Sequence, residues 1–283
     1  MTLRAKIPII FILLFIILTT LFLFYVEKLK TRVRDYGEIK KEGILKIVTE
    51  YNQSGYYVSG DSIVGFQNDL CEAIADISGL DVRIFPDMSI SSSFEGLRKR
   101  EYDVIARNIP VTSDNRQDFL FTDPILFSKQ VLVQRTLAFN DSVPPVRNQL
   151  DLAQKTLCVP KNSPALLRIA HLQHEIGDTI YVVEEERYSS EQLIIMVAKG
   201  EIDYAVCDKQ IAEVFENRFP EIDISTDISF MQLQSWVVRK ESEVLLDSLN
   251  HWFKILRKNG IFDKIMRRYC KSDIIHSKIH INQ

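Results

Sequence analysis

Ile7 to Val26 is a run of 20 residues without a charge, apolar on every helical face. At 1.5 Å per residue such a helix reaches about 30 Å, the thickness of a bilayer core. The run is longer than a signal-peptide core, and the bulky stretch Phe22 to Val26 offers no small-x-small cleavage site. No lipid-carrying Cys follows it. The expectation is an uncleaved signal anchor, an N-terminal transmembrane helix. Basic residues flank both ends, Arg4 and Lys6 before it and Lys28, Lys30, Arg32 and Arg34 after it, so the positive-inside count leaves the orientation open.

From Gly43 onward short apolar runs alternate with helical periodicity. Residues 44–49 read as a buried strand. Phe66, Leu70, Ile74 and Ile77 share one helical face, and Gly79 stops that helix. Strands over 82–86, 103–107 and 129–134 follow, with a Ser-rich helix start at 91–93. Residues 141–149 are polar and Pro-rich and read as a linker. The alternation then restarts with strands over 156–159, 180–183 and 203–207. Helices open at Ser163-Pro164 and run over 190–200 and 209–218, and two more, over about 243–258 and 261–269, close the body. This pattern predicts an α/β fold. Residues 98–106 echo residues 199–206: each is a helix end, a tight turn and a buried strand. Two such units point to two lobes with a cleft between them, at the carboxyl ends of the strands.

The net charge of −3 conceals an asymmetry. Residues 1–34 sum to +5 and the rest to −8, and an acidic body argues against nucleic acid as a partner. The four cysteines form no metal-binding pair. Cys71, Cys158 and Cys207 fall in apolar patterns and read as core, with a disulfide left open. The five histidines have no ligand spacing; His171 and His174 sit three apart on a helix with no third ligand nearby. No nucleophile elbow, P-loop or zinc-protease motif occurs. No catalytic residue, metal or cofactor is expected.

Gly43-Ile-Leu-Lys-Ile-Val-Thr, Gly65-Phe-Gln-Asn-Asp-Leu, Tyr102-Asp-Val-Ile-Ala, Phe121-Thr-Asp-Pro and Ile202-Asp-Tyr-Ala-Val-Cys-Asp208 follow one another in a set order, with Trp236-Val-Val-Arg-Lys and Asn259-Gly-Ile-Phe-Asp-Lys-Ile at the close. This set resembles the periplasmic solute-binding proteins of the polar-amino-acid type (family 3). Within them it most resembles the binding-protein-like module of membrane-bound lytic transglycosylase F, without the catalytic domain that follows the module there. The resemblance implies a two-lobed, type II periplasmic-binding-protein-like fold. It divides the chain into a membrane anchor with basic flanks (1–34), a first lobe (35–136), a second lobe (137–228), a return to the first (229–270) and a C-terminal tail (271–283). It also implies an inner-membrane, single-pass protein with its body in the periplasm.

The resemblance further implies a set of ligand contacts. A bidentate guanidinium suits a carboxylate, and Arg116 is the nearest counterpart of the family's ligand-clamping Arg, although the alignment places Asn115 at that position, Asn108 at a family Gly and Pro110 at a family Thr. Arg107, at a strand end, is a second basic candidate. Asp208 matches the position that receives a ligand ammonium group, and also reads as a helix N-cap. Ser163, with Lys161 just before it, matches a helix N-terminus that takes an anion, and equally reads as a plain cap. Tyr56 and Tyr57 fall where a ligand-stacking aromatic is expected, with Phe94 as a weaker equivalent. The leading expectation is a non-enzymatic module closing on a small polar ligand, such as an amino acid or a cell-wall peptide fragment, and serving a permease or a cell-wall hydrolase. An interaction module that binds no small ligand is the alternative. A dehydratase of the same fold, with Asp208 as acid or base, ranks below it.

Overall fold

The computed structural model describes residues 15–22, 34–53 and 55–269. The chain divides into two units, Met1–Arg34 and Asp35–Gln283. In the first, residues 15–22 are helical, and Phe15, Ile16, Leu18, Leu21 and Phe22 are exposed on it. Most of the expected span Ile7 to Val26 lies outside the described residues. Among the described residues no helix is long and apolar enough to cross a membrane. The expected C-terminal tail and Cys270 also lie outside them.

The second unit opens with α1 (Tyr36–Glu42), β1 (Ile44–Thr49), a hairpin of β2 (Tyr57–Ser59) and β3 (Ser62–Val64), and α2 (Phe66–Ser78). It continues through β4 (Asp81–Pro86), α3 (Ile90–Arg98), β5 (Val104–Pro110), α4 (Ser113–Asp118), β6 (Phe119–Phe121) and β7 (Leu126–Ser128). A second stretch supplies β8 (Gln130–Arg135), β9 (Thr156–Pro160), α5 (Ala165–Ile176), β10 (Tyr181–Glu185), α6 (Ser190–Lys199), β11 (Ala205–Asp208), α7 (Lys209–Glu216) and β12 (Ile222–Asp227). The chain then returns through β13 (Gln232–Arg239), α8 (Glu243–Lys258) and α9 (Ile261–Tyr269). The helix carrying Phe66, Leu70 and Ile74 buries those side chains and ends at Gly79, whose φ of 69° is cheap only without a Cβ.

Two sheets form two lobes. In the first the order is β4-β1-β5-β13-β6, with β7 also on β13; in the second it is β10-β9-β11-β8-β12. Each has three parallel strands followed by antiparallel ones. The two chain passages between lobes fall at Ser128–Gln130 and between Asp227 and Gln232. The strand over 130–135, expected with the first lobe up to 136, therefore belongs to the second sheet. Residues 141–149, expected as a linker, lie within the second lobe: Val146 is buried, and its N–H and carbonyl are both bonded to the Gln134 side chain, at 2.8 and 2.9 Å.

The internal echo is a repeated clip. Arg239, at the end of β13, donates to the carbonyls of Leu97 and Tyr102 and to Asp103 just before β5, the last at 3.3 Å. Arg135, at the end of β8, donates to the carbonyls of Val197 and Ile202 and to Asp203 before β11, the last at 2.7 Å. Each clip ties an antiparallel strand to the turn that starts its neighbour. The first is sealed, with Asp103 at 0% and Arg239 at 2% exposure, whereas Asp203 is 72% exposed.

The first lobe's core gathers Leu45, Ile47, Leu70, Ile74, Trp236 and Phe253 between the sheet and helices α2, α8 and α9. The second lobe has a core on each sheet face, around Val133, Ile194 and Phe215 on one and Leu157, Ile169 and Leu172 on the other. Cys71, Cys158 and Cys207 are buried and unbridged, and burial pushes the Cys71 and Cys207 thiols far up.

Candidate functional site

A cavity of about 300 Å³ lies between the lobes. All six parallel strands point their carboxyl ends at it. Thr49 and Glu50 follow β1, Met88 and Ser89 follow β4, and Arg107 and Asn108 come from β5. From the second lobe, Lys161 and Ser163 follow β9, Glu185 and Tyr188 end and follow β10, and Asp208 ends β11. This is the switch-point crevice of open α/β sheets, made twice and turned face to face.

Arg107 is 6% exposed, and its guanidinium is held by Glu50 at 3.1 Å and by the Ser93 hydroxyl at 3.1 Å. The pair lies in the floor of the first lobe. Asp208 caps α7, accepting from the Gln210 N–H at 2.9 Å. Ser163 accepts from the Ala165 N–H at 3.2 Å, at the start of α5. Lys161 is exposed and paired with Glu186. Asp208 and Ser163 thus each bond a helix-start N–H and line the cavity as well.

A relay of amides runs from the core to the far lobe. The Trp236 indole N–H donates to Gln67 Oε1 at 2.7 Å, Gln67 Nε2 donates to Asn108 at 2.9 Å, and Asn108 Nδ2 donates to Gln210 across the cleft at 3.2 Å. Among the described residues, further contacts join the lobes. The Gln53 N–H donates to Glu191 at 2.7 Å, Arg218 donates to the Gln53 side chain, and Asn162 donates to Ser91 at 2.7 Å. Burial raises the Glu191 carboxyl above its ordinary value, and the Gln53 N–H works against that rise. Replacing Trp236 by Phe keeps most of the apolar bulk and strands Gln67 Oε1 in the core. The expected cost is about 1–3 kcal/mol, read as a lower thermal midpoint by circular dichroism, with weaker cleft closure by solution scattering.

Residues 45–272 match the sequence pattern of a known family. The chain belongs to the bacterial extracellular solute-binding proteins, family 3. Among curated relatives, membrane-bound lytic murein transglycosylase F of Desulfosudis oleivorans is 29% identical over 232 residues, covering 82% of this chain and 50% of that one. The transglycosylase F of Photobacterium profundum is 23% identical over 236 residues, covering 83% and 45%. The chain thus spans about half the length of the curated relatives it matches. Among solved structures, a mutant of ArgBP from T. maritima superposes with a TM-score of 0.71 at 26% identity, covering 83% of this chain and 99% of that one. An ancestral amino acid-binding protein, a precursor of cyclohexadienyl dehydratase, shares the fold at a TM-score of 0.70 and 19% identity, covering 82% and 98%.

Of the eight residues picked out in the sequence, the structure brings Arg107, Lys161, Ser163 and Asp208 to the cavity of this family 3 protein. The other four do not line it. Arg116 is exposed on α4, where its carbonyl accepts from Lys240 at 2.9 Å. Tyr56, in the loop after β1, is buried, and burial raises its phenol. Tyr57 sits on β2 beside a separate open groove with Arg218 and Tyr269. Phe94 packs into the core, 4.8 Å from Phe119. Glu50, Gln67 and Gln210 were not singled out. Glu50 was within reach of the strand-end rule, since it is the first polar residue after β1. The amides carry no comparable mark. Glu241-Ser242, a superficial match to a transglycosylase Glu-Ser pair, is a helix start: Ser242 is fully buried, and Glu241 pairs with Arg100 at 3.5 Å.

Proposed function

We propose that this chain is a membrane-anchored, extracytoplasmic solute-binding protein that closes its lobes on a small polar ligand, such as an amino acid or a cell-wall peptide fragment. The observation that carries this is the cavity itself: about 300 Å³, at the low end of ligand-site volumes, with six strand ends converging on it from two lobes. Arg107 from one lobe and Asp208 from the other face the same space, so a ligand touching both stabilises the closed state. The anchor rests on the uncharged run Ile7 to Val26 and on the exposed apolar helix at 15–22. With the body in the periplasm, the partner is a permease or a cell-wall hydrolase.

Thermal unfolding of the full chain in detergent, screened against amino acids and muropeptides, tests this. A ligand at a hundred times its Kd adds about 2.7 kcal/mol and raises the midpoint. No shift with any compound would count against the reading. The Asn108–Gln210 bond, which joins the lobes through protein groups alone, favours one second reading: a regulatory module that acts by lobe position on a cell-wall enzyme. Under that reading partner binding survives substitution of Arg107 and Asp208.

A further inference from the structure

The proposed solute-binding reading leaves the chemistry of the ligand open, and the inference here rests on that reading. We propose that Gln130, at the pivot between the lobes, contacts the ligand and selects one that carries an amide group, either a side-chain carboxamide or a peptide bond.

Among the described residues, the buried polar side chains of the cavity wall are Thr49, Asn52, Gln67, Arg107 and Gln130. The first four are engaged by the protein. Thr49 Oγ1 donates to the Ala106 carbonyl at 2.7 Å, and Asn52 Oδ1 accepts from the Gly55 N–H at 2.6 Å. Gln67 sits in the relay from Trp236, and Arg107 is held by Glu50 and Ser93. Gln130 is 5% exposed, and its side-chain amide bonds to no protein group among the described residues. Its direction follows from the sheet. Val206 and Leu132, opposite each other on β11 and β8, enter the core with Leu157 and Ile169. Two positions along, Asp208 stands opposite Gln130, on the same sheet face and at the cavity end. The Gln130 amide therefore opens onto the cavity.

An unpaired amide at that depth costs stability, because its N–H and its carbonyl both give up water without a replacement. A ligand amide takes up both halves at once, since each side brings a donor and an acceptor. A carboxylate only accepts and an ammonium only donates, so either leaves half of the Gln130 amide stranded. The backbone adds the position. The Gln130 N–H donates to Ser229 Oγ at 2.9 Å, and the Gln130 carbonyl accepts from the N–H groups of Ile228 and Ser229 at 2.8 and 3.2 Å. Gln130 ends one chain passage between the lobes and Ser229 lies in the other, so the two passages are stitched together at this residue. Hinge motion displaces a group in proportion to its distance from the axis, and this group lies beside it. Gln130 thus meets the ligand in the open state as well as in the closed one.

Calorimetric titration of the full chain in detergent, with Gln130→Met beside it, tests this. Met keeps the length of the side chain and removes the amide. The probes are glutamine against glutamate and asparagine against aspartate, for a side-chain carboxamide, and alanylalanine against alanine, for a peptide bond. The expected result is that one amide probe binds about tenfold or more tighter than its counterpart, and that Gln130→Met weakens it by about tenfold or more. The ligand-free thermal midpoint of the variant is expected not to fall, since no bond within the protein is lost. A purely structural Gln130 gives the opposite pattern. A fall in that midpoint of about 3 °C or more, the size of one lost hydrogen bond, overturns the proposal, and so does an affinity in Gln130→Met within about threefold of the parent. Binding confined to compounds without an amide, such as glutamate or arginine, also overturns it. Each of these leaves the solute-binding reading standing. No binding by any probe, with no shift in the thermal screen, overturns both.

Discussion

Replacing Asp103 by Ala is expected to destabilise the first lobe by about 3–5 kcal/mol, because it leaves a guanidinium buried without its counter-charge. Arg239 is 2% exposed and Asp103 not at all, so neither water nor a surface group takes the lost carboxylate's place. The same change strips the Lys46 N–H of its acceptor at 3.0 Å, which adds to the loss. The matched change in the second lobe, Asp203→Ala, acts on the same clip with the carboxylate 72% exposed, and its cost is expected to be under about 1 kcal/mol. Chemical denaturation followed by circular dichroism reads both, and fluorescence of the buried Trp236 and Trp252, which lie in the first lobe, reports on Asp103→Ala. Equal costs for the two variants would mean that burial does not set the strength of the clip. The pair variant Asp103→Ala/Arg239→Met removes charge and partner together and is expected to recover most of the loss, since charge burial, not the missing contact, is its main cause.

Gly65→Ala is expected to cost about 3 kcal/mol and to abolish ligand binding, a larger functional effect than any single cleft substitution. Gly65 has a φ of 138°, a region that L residues rarely adopt, and a Cβ there would fall 2.2 Å from the Gly55 carbonyl oxygen and 2.7 Å from the Tyr56 nitrogen. These are backbone atoms, so the contact cannot be relieved by a rotamer change. The loop after β1 must move, and that loop places Asn52 and Gly55 at the cavity and Gln53 against Glu191 and Arg218. Thermal unfolding and ligand titration of the variant check the two parts separately. Retained affinity would show that the loop tolerates displacement.

The sequence made the elements legible wherever a residue type has one physical use. Gly79 and Gly200 stop helices because a left-handed terminal residue favours Gly, and α8 falls on the expected 243–258 because its apolar face repeats without a break. Sheet membership was less legible. A strand such as Gln130–Arg135, buried almost throughout, carries the same pattern in either sheet, and only its partners β11 and β12 assign it. The Pro-rich stretch 141–149 misled for a related reason: its composition is that of a linker, but one long-range contact, Val146 with Gln134, folds it into the lobe.

In the candidate site, residues tied to strand ends or helix starts (Asp208, Ser163, Lys161, Arg107) could be placed from the chain alone. Aromatics could not, because Tyr56 satisfies the same preference by burial and Phe94, half-buried, by packing against the core. Arg116 shows how little separates the two outcomes. On a short exposed helix a guanidinium faces water, while nine positions earlier, within the strand, Arg107 is enclosed.

The position of β13 has a consequence for how the molecule is made. It is the central partner of the first sheet, paired with β5, β6 and β7, yet among the described residues it is the last strand to leave the ribosome. All five strands of the second sheet precede it and pair only with one another. The second lobe therefore has everything it needs to assemble while the first is still divided, with β4-β1-β5 on one side and β6 and β7 waiting on the other. Synthesis proceeds from one end, so the inserted lobe matures early and the lobe that encloses it in sequence is sealed late, by Trp236 and Arg239 arriving together.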